Sequence, residues 1–316
     1  MFSSGEVSAR VLKRKPKGMR VRSSVLMLNI GVGLAEKLIG TQFPEWAGLS
    51  IVPVAASGWD NQSFRLGDDF LIRLPRSEAY AGQVDKEHRW LPVLAPHLPV
   101  AIPVPVAQGH PSVDYPFKWS VYRWLTGEDA GHATITDRDA FVRRLARFLR
   151  ALQEVDATGA PRPGRENFHR GGSLGVYEPE FYAAVARLGS SWDRSALIAL
   201  WERGVAARWT GSPVWVHGDI SPGNLLVCDG ALCAVIDFGQ LAAGDPACDF
   251  AISWTFFSTE EREVFRQVVQ ADEGTWARAR CWAMWKASLL AAGLASSNAV
   301  ELASVWATLR GLLEEP

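Results

Sequence analysis

His217, Gly218 and Asp219 close an apolar run, Asn224 follows five positions after Asp219, and a second aspartate, Asp237, sits thirteen residues further on in Ile236-Asp237-Phe238-Gly239. An aspartate in a loop, an asparagine five residues on and an aspartate beyond a hairpin form the residue set of phosphoryl transfer. In that chemistry one carboxylate orients the attacking hydroxyl and accepts its proton. The asparagine and the second carboxylate hold Mg2+ against nucleotide phosphates. A set of oxygen donors suits Mg2+, which takes one or two carboxylates and completes its shell with phosphates and water. Each residue alone has a simpler reading, because Asp and Asn side chains bond nearby backbone in turns. That reading is poor for all three in this order.

These groups need elements to hold them. Between Asn224 and Asp237 two apolar runs are joined by Asp229-Gly230, the strongest two-residue hairpin signal, which folds Asp237 back beside Asn224. Upstream, a short helix is expected over about 32–38, then strands across Leu49–Arg76, broken by loops at 57–61 and 67–69. Helical spacing follows over 81–98, with Val84, His88, Leu91 and Leu94 on one stripe until Pro96 closes it. A Pro-rich connector leads to a further apolar strand in Trp119–Asp129. Beyond it the chain is helical. Thr136 and Asp139 open a segment whose face is Phe141, Leu145, Phe148, Leu149 and Leu152. Two more helical patterns cover about 178–209, and the last sixty residues are helical too.

At roughly 150 residues per domain, the 316 residues point to two lobes. A small α+β lobe is expected over 27–126, and a helical lobe with the catalytic loop and substrate pocket over 127–316. Residues 1–26 hold seven basic residues against Glu6 alone. They read as a disordered basic extension, with a targeting peptide as the other reading; Met19 or Met27 can each begin the chain. A formal net charge of -1 gives no nucleic-acid footprint. No run of eighteen apolar residues points to a membrane span. Cys228, Cys233, Cys248 and Cys281 show no C-x-x-C pair and read as reduced, buried thiols of a cytoplasmic protein, the first two as small apolar strand residues. Oligomeric state is not set by the sequence.

The segments "HGDISPGN", "VIDFG" and "GDPACDFA", with "SGWDNQSFRLGDDFLIRLPR" and "VYRWLTGE", resemble the aminoglycoside phosphotransferase and choline-kinase group, small-molecule kinases of the protein-kinase-like fold. The resemblance covers about 27–316. It implies an α+β, two-lobed architecture with a small antiparallel-sheet N-terminal lobe and a mostly helical C-terminal lobe. It makes Asp219 the catalytic base and Asn224 and Asp237 the Mg2+ ligands. His217 becomes a brace of the loop, and Asp249 a bond to the loop backbone from a helix start, while Asp245 before Pro246 can cap that helix.

In the first lobe, Ser57, Gly58 and Asn61 belong to the loop over the phosphates. Gly58 either lets the backbone approach a phosphate or serves as a turn glycine. Where kinases carry a strand lysine, "FLIRLP" has Arg73. The departure is real, because a planar fork is not a point charge, yet Arg73 can bind phosphate oxygens bidentately. Its other reading is a solvated charge on an edge strand. Glu87 is the expected helix partner of Arg73, with Glu78 in the preceding loop as rival. Arg123, Trp124 and Leu125 form the hinge whose backbone meets the purine; Tyr122 and Trp124 either stack on the base or are core aromatics.

The expectation is a Mg2+-dependent phosphotransferase moving the γ-phosphate of ATP or GTP to a hydroxyl of a small molecule, an aminoglycoside or other antibiotic among the candidates. Choline, homoserine and sugars are acceptors of related groups. The alternative from another class is a nucleotide-binding regulator without catalysis, supported only by the Lys-to-Arg change. For a polycationic acceptor an acid-lined pocket is needed, and Glu178, Glu180, Asp193, Glu202, Glu260, Glu261, Glu263, Asp272 and Glu273 are the helical-lobe acids available.

Overall fold

The structure, a computed structural model, describes residues 30–54, 60–295 and 299–314. The basic stretch 1–26 lies outside them, as do Ser57 and Gly58.

Helix α1 (Val32–Gln42) precedes β1 (Ile51–Pro53), β2 (Asn61–Leu66) and β3 (Phe70–Pro75). Helix α2 (Glu78–Leu94) then leads to β4 (Pro105–Gly109) and β5 (Trp119–Arg123). The five strands form one antiparallel sheet in the order β1-β2-β3-β5-β4. Their apolar side chains, among them Phe64, Ile72 and Trp119, bury against Ala35, Leu38 and Ile39 of α1. The Pro-rich connector thus contains β4, which its prolines hide from a strand pattern; an edge strand tolerates them because its outer N–H groups need no partner. Helix α2 starts earlier than its apolar stripe, so Glu78 is its first residue and not part of a loop, and it carries Pro92 in its interior.

The strand β6 (Glu128–Asp129) opens the second part, followed by α3 (Arg138–Glu154), α4 (Glu178–Arg187), α5 (Arg194–Ala206) and β7 (Val214–Val216). Next come β8 (Leu225–Cys228), β9 (Ala231–Val235) and β10 (Ala242–Gly244), and then α6 (Ile252–Thr255), α7 (Thr259–Val269), α8 (Glu273–Ala291) and α9 (Ala299–Glu314). Helix α3 is capped by Asp137, whose side chain accepts from Ala140 N; Thr136 instead bonds the carbonyl of Gly230. All five residues of its expected apolar face are buried, each contributing about 1.5–3 kcal/mol by removal from water. Ser258 and Glu261 close a reciprocal capping box on α7. Helix α8 is buried on every side, which is why no amphipathic stripe marks it.

The hairpin β8–β9 turns at Asp229 and Gly230 with φ of 50° and 77°, the left-handed pair a type I′ turn requires. Its register slips between Leu226 and Val227: Leu226 faces Ala234 while Val227 faces Leu232. Cys233 is the residue left over by this bulge. It comes within 5.6 Å, Cα to Cα, of Cys228, and the two form a disulfide. The expectation of four reduced thiols therefore holds only for Cys248 and Cys281, which are free and buried. Among the described residues, no helix is long and apolar enough to cross a membrane.

Candidate active site

The loop after β7 is fixed from beneath. Strand β7 pairs with β10, Val216 opposite Ala242, so His217 emerges at the sheet end and is fully buried. Its Nε2 donates to the carbonyl of Ile236 at 3.0 Å, and its Nδ1 accepts from Asp219 N at 3.1 Å. The two partners specify the neutral tautomer with its proton on Nε2. Asp249, itself buried, accepts from His217 N and Gly218 N, both at 2.7 Å. Gly218 has φ of +87°, and a Cβ there would come within 2.7 Å of the Gln240 carbonyl, so only glycine fits. The loop thereby presents Asp219, half-buried, to the cleft above.

Asn224 links the two ends of the hairpin. Its Nδ2 donates to the Asp219 carbonyl at 2.8 Å and to the Asp219 carboxylate at 3.3 Å. Its own carbonyl accepts from Ile236 N at 2.9 Å, which sets Asp237 next to it. Asp237 has φ of 68°, a left-handed backbone that turns its carboxylate into the cleft. With the Asn224 amide nitrogen committed, its side-chain oxygen is the remaining donor. Together with the Asp237 carboxylate it makes a two-oxygen set. Among the described residues no group of three or more His, Cys, Asp or Glu can hold a metal alone. This donor set fits a hard cation that draws its other ligands from phosphate and water.

Arg73, on β3, reaches the same place from the other side. One terminal nitrogen donates to Asp237 at 2.9 Å, and the other to both carboxylate oxygens of Glu87 at 3.3 and 3.4 Å. Burial works against its charge, but Glu87 and Asp237 outweigh that and hold the guanidinium above its usual value. Its side chain is 13% exposed, so the edge-strand reading fails. Glu87, buried on α2, also accepts from the Tyr122 hydroxyl. Glu78 is exposed and takes no part. Helix α2 contributes two contacts that no motif signalled. Lys86 Nζ donates to the carbonyl of Gly239 at 2.6 Å, and Gln83 donates to Asp60 at 2.9 Å. Burial lowers the Lys86 ammonium to about 8. Burial likewise pushes the Asp60 carboxyl up to about 6, with the Gln83 bond acting against it and the charge of Asp237 adding to it.

Between sheet and hairpin lies a cavity of about 430 Å³. Asn61, Arg73, Arg123, Leu125, Asn224 and Asp237 line it, so six expected site residues converge there, with Asp60 beside them. Arg123, Trp124 and Leu125 all line it, and of their amides Arg123 N donates to Val104 O and Trp124 N to Asp69 O. Tyr122 is buried, donates its hydroxyl to Glu87 and lines the cavity, as Trp124 does. Trp124 lies under the Arg65 guanidinium at 4.9 Å. The arrangement can seat a flat base at the hinge end and a charged tail at the Arg73–Asp237 end, with Asp219 beyond the tail.

A family model described as "Phosphotransferase enzyme family" matches residues 51–282. No curated protein matches the chain by sequence. Among solved structures, the wild-type aminoglycoside 2'-phosphotransferase-IIIa in its GDP complex aligns with a TM-score of 0.67 at 21% identity, covering 89% of this chain and 97% of its own. The macrolide 2'-phosphotransferase from Brachybacterium faecium, an apoenzyme, aligns at 0.59 and 23% identity, covering 88% and 98%. A macrolide 2'-phosphotransferase of type I aligns at 0.60 and 19%, covering 89% and 98%. These likenesses extend over both the sheet and the helical part.

Proposed function

This chain belongs to the phosphotransferase enzyme family, and from that premise we propose that it transfers the γ-phosphate of ATP or GTP to a hydroxyl of a small molecule; Asn224 and Asp237 are the residues that would hold Mg2+. The observation that carries the reading is the double tie of Asn224, to Asp219 through its amide and to Ile236 through its carbonyl. It gathers one carboxylate and two oxygen donors on a single cleft floor.

In this reading the acceptor oxygen attacks the γ-phosphorus in line. The new O–P bond forms as the bond to the bridging oxygen breaks, the electron pair leaves with the nucleoside diphosphate, and the hydroxyl proton passes to Asp219. Bound Mg2+ supplies neutralisation of charge on the phosphate oxygens. Asn224 keeps Asp219 oriented, and His217 and Asp249 keep the loop from moving. Arg73 holds the phosphate end while Glu87 holds Arg73. The purine is read by the hinge around Leu125, consistent with the GDP bound by a protein of the same fold.

The test is Asp219→Asn. General-base assistance is worth about 10²–10⁴-fold, so turnover should fall by that much while Mg2+-nucleotide affinity, measured by calorimetry, stays within a few-fold. Near-normal turnover in this variant would sink the assignment.

A further inference from the structure

The Cys228–Cys233 disulfide has no part in the phosphoryl-transfer scheme, yet it stands against the wall of the nucleotide cavity. The carbonyl of Thr126, the residue after Leu125, lies 3.1 Å from Cys228 Sγ and 3.5 Å from Cys233 Sγ. A Cβ on Gly127 would come within 2.9 Å of Leu226 Cβ and 3.2 Å of Cys233 Sγ, so the hinge backbone packs directly on the hairpin and its sulfur. Gly127 and Leu226 are themselves wall residues of the cavity of about 430 Å³. From the hinge the chain runs into β6, which pairs with β8, Glu128 opposite Val227 and Asp129 opposite Leu226. Hinge and disulfide-bearing hairpin are thus one packed unit.

Both cysteines of the pair are half-buried, so a small molecule in solvent can reach the sulfurs. The other two are placed differently. Cys248 and Cys281 are buried and free, and burial pushes both thiols up, Cys281 to about 12. A thiol kept protonated and out of reach is inert. In the disulfide neither sulfur carries hydrogen, and Thr126 O is met by sulfur alone. Reduced, each thiol becomes a weak donor with an acceptor already beside it: Thr126 O for Cys228, and Leu226 O, at 3.3 Å, for Cys233. What the reduced pair lacks is room. Two sulfurs no longer bonded must stand at van der Waals separation, and the Gly127 backbone occupies one side of Cys233.

Resting on the nucleotide site of the phosphotransferase reading, we propose that Cys228–Cys233 is a redox-modification site: low-molecular-weight thiols open the disulfide, and its state sets nucleotide affinity through Thr126 and Gly127. A small thiolate attacks one sulfur and forms a mixed disulfide, while the Cys228–Cys233 bond breaks and its electron pair leaves on the other cysteine. A second small thiolate attacks the small-molecule sulfur of that mixed disulfide and expels the remaining cysteine as thiolate. Two small thiols are oxidised to one small disulfide, and their protons pass to Cys228 and Cys233. The disulfide form holds the cavity wall in place and binds Mg2+-nucleotide tightly; the dithiol form pushes the hinge backbone aside and binds it weakly.

The experiment holds the full chain in reduced or in oxidised glutathione. One set of samples is alkylated with iodoacetamide under native conditions and mapped by mass spectrometry. A parallel set is titrated by calorimetry with Mg2+ and a non-hydrolysable ATP or GTP analogue. Alkylation is expected at Cys228 and Cys233 in reduced glutathione only, with Cys248 and Cys281 unmodified. The nucleotide dissociation constant should rise by about ten-fold on reduction, with the circular dichroism spectrum unchanged. The double variant Cys228→Ala, Cys233→Ala should bind nucleotide equally in the two buffers. Lack of alkylation at the pair in reduced glutathione overturns the inference, as does a redox response that persists in the double variant, or loss of the fold on reduction. Equal nucleotide affinity in both states sinks the inference alone. Absence of nucleotide binding in both states sinks the phosphotransferase reading, and the inference with it, so the two failures are distinguishable.

Discussion

Arg73 and Asp237, 164 residues apart in sequence, meet at 2.9 Å, and the bond joins the five-stranded sheet to the end of the β8–β9 hairpin. The same guanidinium holds Glu87, so one side chain answers two carboxylates. A lysine has the charge but not the fork.

Arg73→Lys is therefore expected to fold and to weaken Mg2+-nucleotide binding by roughly ten- to a hundred-fold, because one charge-assisted bond, worth about 1.5–3 kcal/mol, is lost. Arg73→Ala leaves Glu87 buried without its counter-ion and should cost about 3–5 kcal/mol of stability. Calorimetric titration and denaturant unfolding read the two effects separately. Equal nucleotide affinity for the lysine variant and the parent would contradict this role.

Tyr122 bonds Glu87 through its hydroxyl, which makes it a positioning residue acting through Glu87 on Arg73. Tyr122→Phe keeps the ring and removes that bond. Nucleotide affinity should fall by roughly ten-fold, with little change in the affinity for the acceptor. Equal weakening of both ligands would instead indicate a general loss of structure.

Asp249 satisfies two buried amides, His217 N and Gly218 N. An asparagine has one acceptor oxygen and turns its NH2 group toward the other amide. Asp249→Asn should lower stability by about 1–3 kcal/mol, the cost of an unmet buried donor. It should also reduce turnover more than nucleotide affinity, since it loosens the loop that presents Asp219. An unfolding midpoint equal to the parent's would refute the account of this bond.

Asp60 gives the pH dependence. Its folded value of about 6 lies above the ordinary 3.8, so between these values the folded chain keeps a proton that the unfolded chain has released. The contribution to stability is full below the lower value and lost as pH rises through the upper one. At about 1.4 kcal/mol per pKa unit, Asp60→Asn should stabilise the protein by roughly 1–3 kcal/mol at pH 8 and by much less near pH 4. Melting temperatures across that interval check it. A constant difference at all pH values would contradict the assignment.

The parts legible in the sequence were those specified locally. Asp229-Gly230 announces its turn by the backbone it demands, and once the turn is known, Asn224 and Asp237 must be close. The face of α3 was legible because its period matches one buried side. What escaped was set by distance or by irregularity. Lys86 bonds Gly239 across 153 positions, and nothing in the composition of either segment marks that meeting. Cys228 and Cys233 pair because a bulge displaces one residue, and alternation alone does not reveal a bulge. Glu78 and Glu87 are both carboxylates of one helix, nine residues apart; only the path of the helix over the sheet decides which of them Arg73 meets. The acids of the last helices looked available on a one-dimensional count, and caps and ion pairs absorbed them.

The tip of the β8–β9 hairpin is clamped, with Gly230 O accepting from Thr136 N at 3.1 Å, and its base is tied by the bond from Ile236 to Asn224. Held at both ends, the hairpin acts as a gauge of chain length. A single inserted or deleted residue between Asn224 and Asp237 would have no slack to vanish into, and would turn one donor to the opposite face of its strand. Substitutions along this stretch can be absorbed by packing, but changes in its length cannot.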